Sequence, residues 1–186
     1  MTAPIRILGI AGSLRRESYN RAALRAATQL VPTGSSLEIF ELEDIPLFNQ
    51  DDERNPPTKV VEFKQSIRQA DAILIVTPEY NHSIPGVLKN AIDWATRPYG
   101  DNAWTGKPAA ILGASVGPFG TVRAQNHLRQ ILSALNVFLV NQPEVLIGDA
   151  GTKFDAQGNL TDERTKEFIT KLLVNLVEWT GRLTPK

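Results

Sequence analysis

The sequence predicts an α/β fold with one five-stranded parallel sheet and helices on both of its faces. Two observations lead to this prediction: runs of strand and helix character alternate five times along the chain, and three of the five strand runs are apolar almost throughout. Such strands are typical of a parallel sheet that is buried on both faces. A length of 186 residues suits one core, so we expect residues 1–186 to form a single domain.

Short runs rich in β-branched residues mark the strands, and Gly, Pro, Ser or Asp bounds each of them. The predicted strands are Ile5–Ile10, Leu37–Leu42, Ala72–Val76, Ala109–Gly113 and Glu144–Ile147. The second run alternates between apolar and acidic residues more than the others do, so we expect it at an edge of the sheet.

Helical periods fill the intervals between the strands. Four of them are predicted over Tyr19–Leu30, after Pro56-Pro57, over Val87–Ala95 with Pro85 in the first turn, and over Thr121–Leu135. The last helix is predicted over Thr161–Trp179, with Asp162 and Glu163 at its amino end and Gly181 at its exit. This succession is that of a flavodoxin-like sheet with strand order 2-1-3-4-5 and right-handed crossovers.

Two predicted connections are unusually long, Ile45–Thr58 and Thr96–Pro108. Loops of this length in a compact domain are usually binding loops, lids or contact surfaces, although the first could also be an ordinary surface loop. The second carries Tyr99 and Trp104, which we expect to be exposed for a partner or a ligand.

Charge and composition exclude several classes of partner. Twenty Lys and Arg balance twenty Asp and Glu, so the chain lacks the cationic excess of a nucleic-acid binder. The amino terminus does not resemble a signal peptide, and no apolar run is long enough to span a bilayer. We therefore expect a cytoplasmic protein with neither a nucleic-acid partner nor membrane insertion.

The absence of cysteine from the sequence narrows the possible chemistry. It excludes disulfides, thiolate metal sites and a cysteine nucleophile. The sequence also has neither a His/Asp/Glu cluster with metal-ligand spacing nor a GxSxG elbow, so we expect no bound metal and no esterase activity. Any redox chemistry must therefore be carried by an organic cofactor.

A polar loop, Gly12–Asn20, joins the first strand to the first helix and has the composition of a phosphate site. Ser13, Arg15, Ser18 and Asn20 offer hydroxyl, guanidinium and amide donors beside a helix amino terminus. The loop lacks both the GK[ST] of a nucleotide-hydrolysing P-loop and GxGxxG. A monophosphate such as that of FMN fits better, and the alternative is a set of ordinary capping and surface residues.

Two further loops follow strand ends that a 2-1-3-4-5 sheet brings to the same edge. The first of these loops, Thr77–Gly86, contains two prolines, which fix the path of the backbone, and its backbone groups could bind a planar ring. Tyr80 could offer such a ring an apolar face, and the alternative is that Tyr80 is a core aromatic residue. Gly113–Gly120 is small enough for close approach, with Ser115 and Gly117 as donors. His82 adjoins this region and could deliver a proton, although such a histidine is more often structural or solvent-facing.

On these residues the sequence resembles the NADPH-dependent FMN reductase family of flavodoxin-like proteins, which includes bacterial quinone, azo-dye and chromate reductases. The similarity lies in Gly12-Ser-Leu-Arg15 with Ser18 and Asn20, in Thr77-Pro-Glu-Tyr-Asn81, and in Pro85-Gly86 running through Leu88 to Trp94. The resemblance implies an FMN phosphate site and an isoalloxazine site. The implied cofactor-binding residues are Ser13, Arg15, Ser18, Tyr19, Asn20, Pro78, Glu79, Tyr80, Asn81, Ser115 and Gly117.

The resemblance also implies an FMN-dependent NAD(P)H oxidoreductase. NADPH or NADH and then a small-molecule acceptor (a quinone, azo compound, chromate or free flavin) would use the same face in turn, which is a ping-pong mechanism. No protein nucleophile is required, because the flavin carries the chemistry. A homodimer, or a homotetramer built as a dimer of dimers, is implied, with the loop Thr96–Pro108 near a neighbour's site. The alternative is a flavodoxin-type electron carrier, and zero net charge disfavours it because it provides no acidic docking face.

Overall fold

The computed structural model describes residues 4–183. Within that range the strands are β1 (Ile5–Ala11), β2 (Ser35–Phe40), β3 (Ala72–Val76), β4 (Pro108–Ala114), β5 (Phe138–Leu139) and β6 (Val145–Ile147). The helices are α1 (Tyr19–Gln29), α2 (Thr58–Gln69), α3 (Gly86–Ala95), α4 (Val122–Ala134) and α5 (Glu163–Leu183), with 3₁₀ turns at Gln50–Asp52 and Ala150–Thr152.

The strands form one parallel sheet whose order, β2-β1-β3-β4-β5, confirms the predicted 2-1-3-4-5 arrangement. Ile10 of β1 lies beside Ile75 of β3, which in turn lies beside Ile111 of β4. The order of the strands reverses between β1 and β3. Loops at the carboxyl ends of these two strands therefore border the crevice where open α/β sheets bind ligands.

The last edge of the sheet differs from the prediction, because two short strands share it. β5 pairs with Pro108 and Ala109 at the start of β4, whereas β6 pairs with Leu112–Ala114 at its end. Pro143 lies between the two pieces and has no N–H to donate to a ladder. The predicted strand Glu144–Ile147 corresponds to β6, and the two-residue β5 is too short to show a pattern in the sequence.

Apolar side chains alternate between the two faces of the sheet and meet different helices. On one face Ile7, Leu74 and Leu112 pack in a core with α1 and α5. On the other face Ile73 and Ile111 pack in a core with α2, α3 and α4. This confirms the prediction of helices on both faces. None of the helices within residues 4–183 has both the length and the apolar character needed to cross a membrane.

Three predicted boundaries are wrong. β2 begins and ends two residues earlier than expected, because its ladder with β1 pairs Ser35 with Ile5 and ends at Phe40. Pro85 is the residue before α3 and not part of its first turn. Helix α5 continues through Gly181 to Leu183, and the space beside Gly181 would admit a Cβ among the described residues, so no close approach requires a glycine there.

The prediction that the loop after α3 exposes both aromatic residues is half wrong. Tyr99 is 87% exposed, but Trp104 is only 1% exposed, and its indole N–H donates to the carbonyl oxygen of Ile92 at 3.2 Å. The ring of Trp104 packs edge-on against Phe63 of α2. A tryptophan in a loop can thus be a core residue whose single donor is satisfied by a neighbouring helix.

Both long loops are attached to the helices beside them. The carbonyl oxygen of Pro46 accepts hydrogen bonds from Asn90 and from the indole of Trp94, each at 2.8 Å. Further along, Glu53 forms an ion pair with Arg97 at 2.7 Å, which joins one loop to the other. The two connections therefore form one layer over the outer side of α3.

Candidate functional site

The loop between β1 and α1 gathers hydrogen-bond donors at the amino end of a helix. Ser18 caps α1, because its hydroxyl oxygen accepts from the N–H groups of Asn20 (3.2 Å) and Arg21 (3.5 Å). The buried Ser13 hydroxyl oxygen accepts from the N–H of Arg15 at 3.4 Å. Both hydroxyl protons remain available for a ligand. Within residues 4–183, no protein acceptor meets the N–H groups of Ser13, Leu14, Arg16 and Glu17.

The charges of this loop favour an anion. Arg15 and Arg16 are exposed and form no ion pair with the described part of the chain, whereas Arg21 is held by Glu41 (3.0 Å) and Glu43 (2.8 Å). Glu17 is also exposed, so the side chains of the loop contribute one net positive charge beside the positive end of the α1 dipole.

The side chain of Asn20, which the resemblance implies for cofactor binding, makes two hydrogen bonds within the protein. It is 3% exposed, its amide N–H donates to the carbonyl oxygen of Ala114, and its amide oxygen accepts from the N–H of Ala114, each at 2.8 Å. The side chain therefore bridges α1 to the end of β4. The ring of Tyr19 packs against Phe154, with ring centroids 5.4 Å apart.

The loop after β3 is a tight turn with a defined path. Tyr80 and Ser83 exchange two backbone hydrogen bonds of 3.0 Å, and the residues between them, Asn81 and His82, have φ angles of 52° and 62°. Two positive φ angles in succession identify a type I′ turn. The N–H groups of Glu79, Asn81 and His82 have no acceptor in the described chain, so they can serve a bound ring.

The Glu79 side chain contacts helix α4. Its carboxylate accepts from the backbone N–H groups of Arg123 (3.0 Å) and Ala124 (3.2 Å) and from the guanidinium of Arg123 (3.2 Å). Burial on its own would raise the pKa of Glu79. The hydrogen bonds from Ala124 and Arg123 outweigh burial, so the pKa lies below its usual range and the carboxylate is charged at neutral pH.

The loop after β4 consists mainly of small residues. The Ser115 hydroxyl donates to the carbonyl oxygen of Gly117 at 3.0 Å, and its backbone N–H bonds to Ile147 of β6 at 2.9 Å. Val116 and Phe119 project outward from this loop and are largely exposed.

Direct contacts bring the three loops together at the carboxyl edge of the sheet, as predicted. The N–H of Gly12 bonds to the carbonyl oxygen of Val76 at 2.8 Å, and that of Thr77 bonds to Leu112 at 3.0 Å. A side chain at Gly113 would overlap with the carbonyl oxygen of Thr77 and with the hydroxyl of Thr121. Only glycine allows the second and third loops to approach this closely.

Two residues of α4, Arg123 and His127, contact the loop after β3, although no sequence pattern assigns them to the site. Arg123 pairs with Glu79, and Ser83 lies 3.1 Å from Nδ1 of His127 on α4. These partners lie 44 residues apart in the chain. The only available hint is that Arg123 begins the helix that follows a site loop. His82 is exposed beside the turn.

This geometry fits a phosphorylated planar cofactor. A phosphate dianion would find suitable donors at this helix amino terminus: N–H groups and an Arg15 that have no partner among residues 4–183, together with two hydroxyls. The rigid turn beside it presents unpaired N–H groups to a ring edge, and Tyr80, which is 53% exposed, offers an aromatic face. Fold and site together define a flavodoxin-like α/β domain built to hold such a cofactor.

The comparisons with known proteins identify the family. The family described as NADPH-dependent FMN reductase matches residues 5–152. An NAD(P)H-dependent FMN reductase of Pseudomonas aeruginosa is 53% identical over 184 residues, which cover 98% of this chain and 99% of the relative. A 2-hydroxy-1,4-benzoquinone reductase of a Burkholderia species is 43% identical over 175 residues, covering 94% of this chain and 96% of the relative.

A solved structure agrees with both relatives. FerB, a flavoenzyme NAD(P)H:(acceptor) oxidoreductase from Paracoccus denitrificans, superposes with a TM-score of 0.88 at 36% identity, over 96% of this chain and 98% of that one. The chain belongs to the NADPH-dependent FMN reductase family. This confirms the predicted class, an FMN-dependent NAD(P)H oxidoreductase.

Proposed function

We propose that this enzyme reduces small-molecule acceptors, quinones first among them, at the edge where its three loops meet. The observation that carries the proposal is the convergence, at one end of the sheet, of N–H donors, two hydroxyl protons and an arginine for which the described part of the chain offers no partner. The names of the relatives, which include quinone reductases, support quinones as the acceptor class.

In this proposal the loop after β1 holds the FMN phosphate. Ser13 and Ser18 donate their hydroxyl protons, Arg15 supplies the charge, and the backbone N–H groups of Ser13, Leu14, Arg16 and Glu17 complete the cradle. Asn20 acts indirectly: by fixing Ala114, it holds the start of α1 against the end of β4. Tyr19 packs on Phe154 and supports the same helix start.

The loops after β3 and β4 hold the isoalloxazine ring. When bound, FMN supplies the redox chemistry, accepting a hydride from NAD(P)H and delivering electrons to the acceptor. Pro78 fixes the direction of the chain, the N–H groups of Glu79 and Asn81 would bind the ring, and Tyr80 would offer it an aromatic contact. Ser115 and Gly117 would complete the site from the loop after β4. Fixed N–H donors favour negative charge on the ring edge that they face.

Reductant and acceptor would use the same open face in turn, as a ping-pong mechanism requires. The exposed side chains of Tyr80, Val116 and Phe119 lie on two of the three site loops and offer apolar contact to a planar acceptor. His82 is exposed in the turn that follows Tyr80 and is our candidate for proton delivery to the acceptor.

Titration of the protein with FMN, followed by the quenching of flavin fluorescence, tests the phosphate assignment. We expect Arg15→Ala to weaken FMN binding about 10- to 100-fold, the usual cost of one charge-assisted contact. Arg25→Ala, which removes an exposed arginine from the middle of α1, is the matched control and leaves the dissociation constant unchanged. Equal affinity of the Arg15→Ala variant and the unaltered protein would refute the assignment.

A further inference from the structure

We propose that Glu79 is a positioning residue that holds the ring-binding turn in shape by capping helix α4. The inference rests on the proposed function, because it assumes that the turn Tyr80–Ser83 binds the flavin ring. It assigns the Glu79 carboxylate a role within the protein, away from the ligand, while the Glu79 backbone N–H remains available to the ring.

The first observation is that α4 has no cap of its own. Thr121 occupies the N-cap position, but its side chain makes no cap hydrogen bond, because its hydroxyl oxygen accepts from the amide of Gln125 at 3.1 Å. The N–H groups of Arg123 and Ala124 would then lack acceptors. The carboxylate of Glu79, which lies 44 residues before Arg123, accepts from both N–H groups, at 3.0 and 3.2 Å. A negative group at this helix end also interacts favourably with the dipole.

The second observation is that the turn next to Glu79 needs external support. Asn81 and His82 both adopt left-handed backbone conformations, which are unfavourable for residues with a Cβ and especially for two in succession. Such conformations persist where the surrounding structure determines them. Within the turn itself, the backbone hydrogen bonds are the pair between Tyr80 and Ser83.

The third observation is a second contact to the same helix on the far side of the turn. Nδ1 of His127 lies 3.1 Å from the Ser83 hydroxyl. His127 is one turn of α4 after Arg123. Residues on both sides of the turn are thus bound to one face of α4, and α4 serves as the rigid support. The contact of Glu79 is the stronger of the two, since its carboxylate is charged, is largely buried and accepts three hydrogen bonds.

The test compares Glu79→Ala and Glu79→Gln with Asp162→Asn. Asp162 is the matched control, because its carboxylate caps α5 by accepting from the N–H of Thr165 at 2.9 Å and it lies outside the site loops. Two readouts are used: the dissociation constant for FMN, and hydrogen–deuterium exchange of the Tyr80 and Ser83 amides in the protein without flavin. The exchange measurement reports on the turn whether or not a ligand binds.

We expect Glu79→Ala to weaken FMN binding at least tenfold and to speed exchange in the turn at least tenfold, with exchange in the loop after β1 unchanged. Glu79→Gln should recover part of both effects, because an amide oxygen can still accept from α4. Asp162→Asn should lower thermal stability and leave both readouts unchanged. A Glu79→Ala protein with the turn exchange rates and the FMN affinity of the unaltered protein would overturn the inference. Failure of the unaltered protein to bind FMN would overturn the proposed function, while exchange still decides the role of Glu79.

Discussion

At the scale of single residues, Asn20 shows how one buried polar side chain can join two loops of the site. Its amide pairs with both backbone groups of Ala114 and is almost completely buried. This two-bond pairing fixes the second residue after the cap of α1 to the last residue of β4. The loop after β1 and the loop after β4 are therefore positioned by the same side chain.

We expect Asn20→Ala to lower the free energy of unfolding by about 2–4 kcal/mol, because it leaves the N–H and C=O of Ala114 buried without partners. Asn126→Ala, at an exposed position on α4, should change stability by less than about 0.7 kcal/mol. Denaturant unfolding of both variants measures the difference. Equal stabilities would show that the Ala114 pairing does not contribute.

At the scale of elements, the contact between the ends of β3 and β4 depends on Gly113. A methyl group there would overlap with the Thr77 carbonyl oxygen and the Thr121 side chain, both of which are fully buried. We expect Gly113→Ala to lower the free energy of unfolding by more than about 3 kcal/mol, since overlap with backbone in a packed core cannot relax.

The matched control is Gly86→Ala. Position 86 begins α3 with nothing within 4 Å of a new Cβ, and its φ is not in the left-handed range. Alanine there should be neutral or stabilising by up to about 1 kcal/mol. Thermal unfolding of the two variants provides the comparison, and a Gly113→Ala protein as stable as Gly86→Ala would contradict the account.

The loop after α3 is held by a buried cation. Lys64 of α2 lies with its side chain 6% exposed and donates to Asp101 at 2.7 Å and to the carbonyl oxygen of Arg97. Hydrogen bonding from Lys64 lowers the pKa of Asp101; burial opposes this shift, and Arg68 reinforces it. We expect Asp101→Asn to destabilise the protein by about 2 kcal/mol at pH 7, because it leaves the buried ammonium of Lys64 with neutral partners and no compensating charge from residue 101.

This contribution should depend on pH in a defined direction. Because the pKa of Asp101 is lower in the folded state, its stabilisation is complete above the unfolded pKa of about 3.9 and is lost as pH falls through the folded value. The difference in free energy of unfolding between the unaltered protein and Asp101→Asn should therefore disappear as the pH falls below about 4. Asp52→Asn, at an exposed position without an ion pair in the described chain, serves as the control. A difference in stability that stays constant down to pH 2 would contradict this role of the Asp101 carboxylate.

Patterns within one segment predicted the elements well, whereas contacts between distant segments were not predictable. The apolar period of β3 and the small residues around Gly113 are local properties, and both led to the observed structure. The burial of Trp104 depends on Phe63 and Ile92, and the role of Glu79 depends on Arg123 and Ala124. Such partners are set by packing of the whole chain, so a sequence window around each residue contains no trace of them.

At the scale of the whole molecule, helix α5 belongs to the same core as the residues that hold the site. Leu172, Leu173 and Leu176 pack with Leu112 of β4 on the α1 side of the sheet. The single-domain interpretation of residues 1–186 remains a prediction, and this shared core supports it for the described part of the chain.

We propose that the chain assembles as a homodimer or a dimer of dimers. Leu47 and Tyr99 support this, because they are 86% and 87% exposed in the layer formed by the two long loops, and large exposed apolar side chains are typical of interfaces. Sedimentation equilibrium should give two or four times the 20.5 kDa of one chain. A mass of one chain at micromolar concentration would contradict the proposal.

In our proposal, three loops at one edge of the sheet make this protein an FMN-dependent NAD(P)H:quinone oxidoreductase. The most direct measurement is an anaerobic titration of the FMN-loaded protein, first with NADPH and then with benzoquinone, followed by flavin absorbance. About one equivalent of NADPH should bleach the flavin bands and about one equivalent of quinone should restore them, since each transfers two electrons. Failure to bind FMN, or a flavin that NADPH and NADH both leave oxidised, would contradict the proposal.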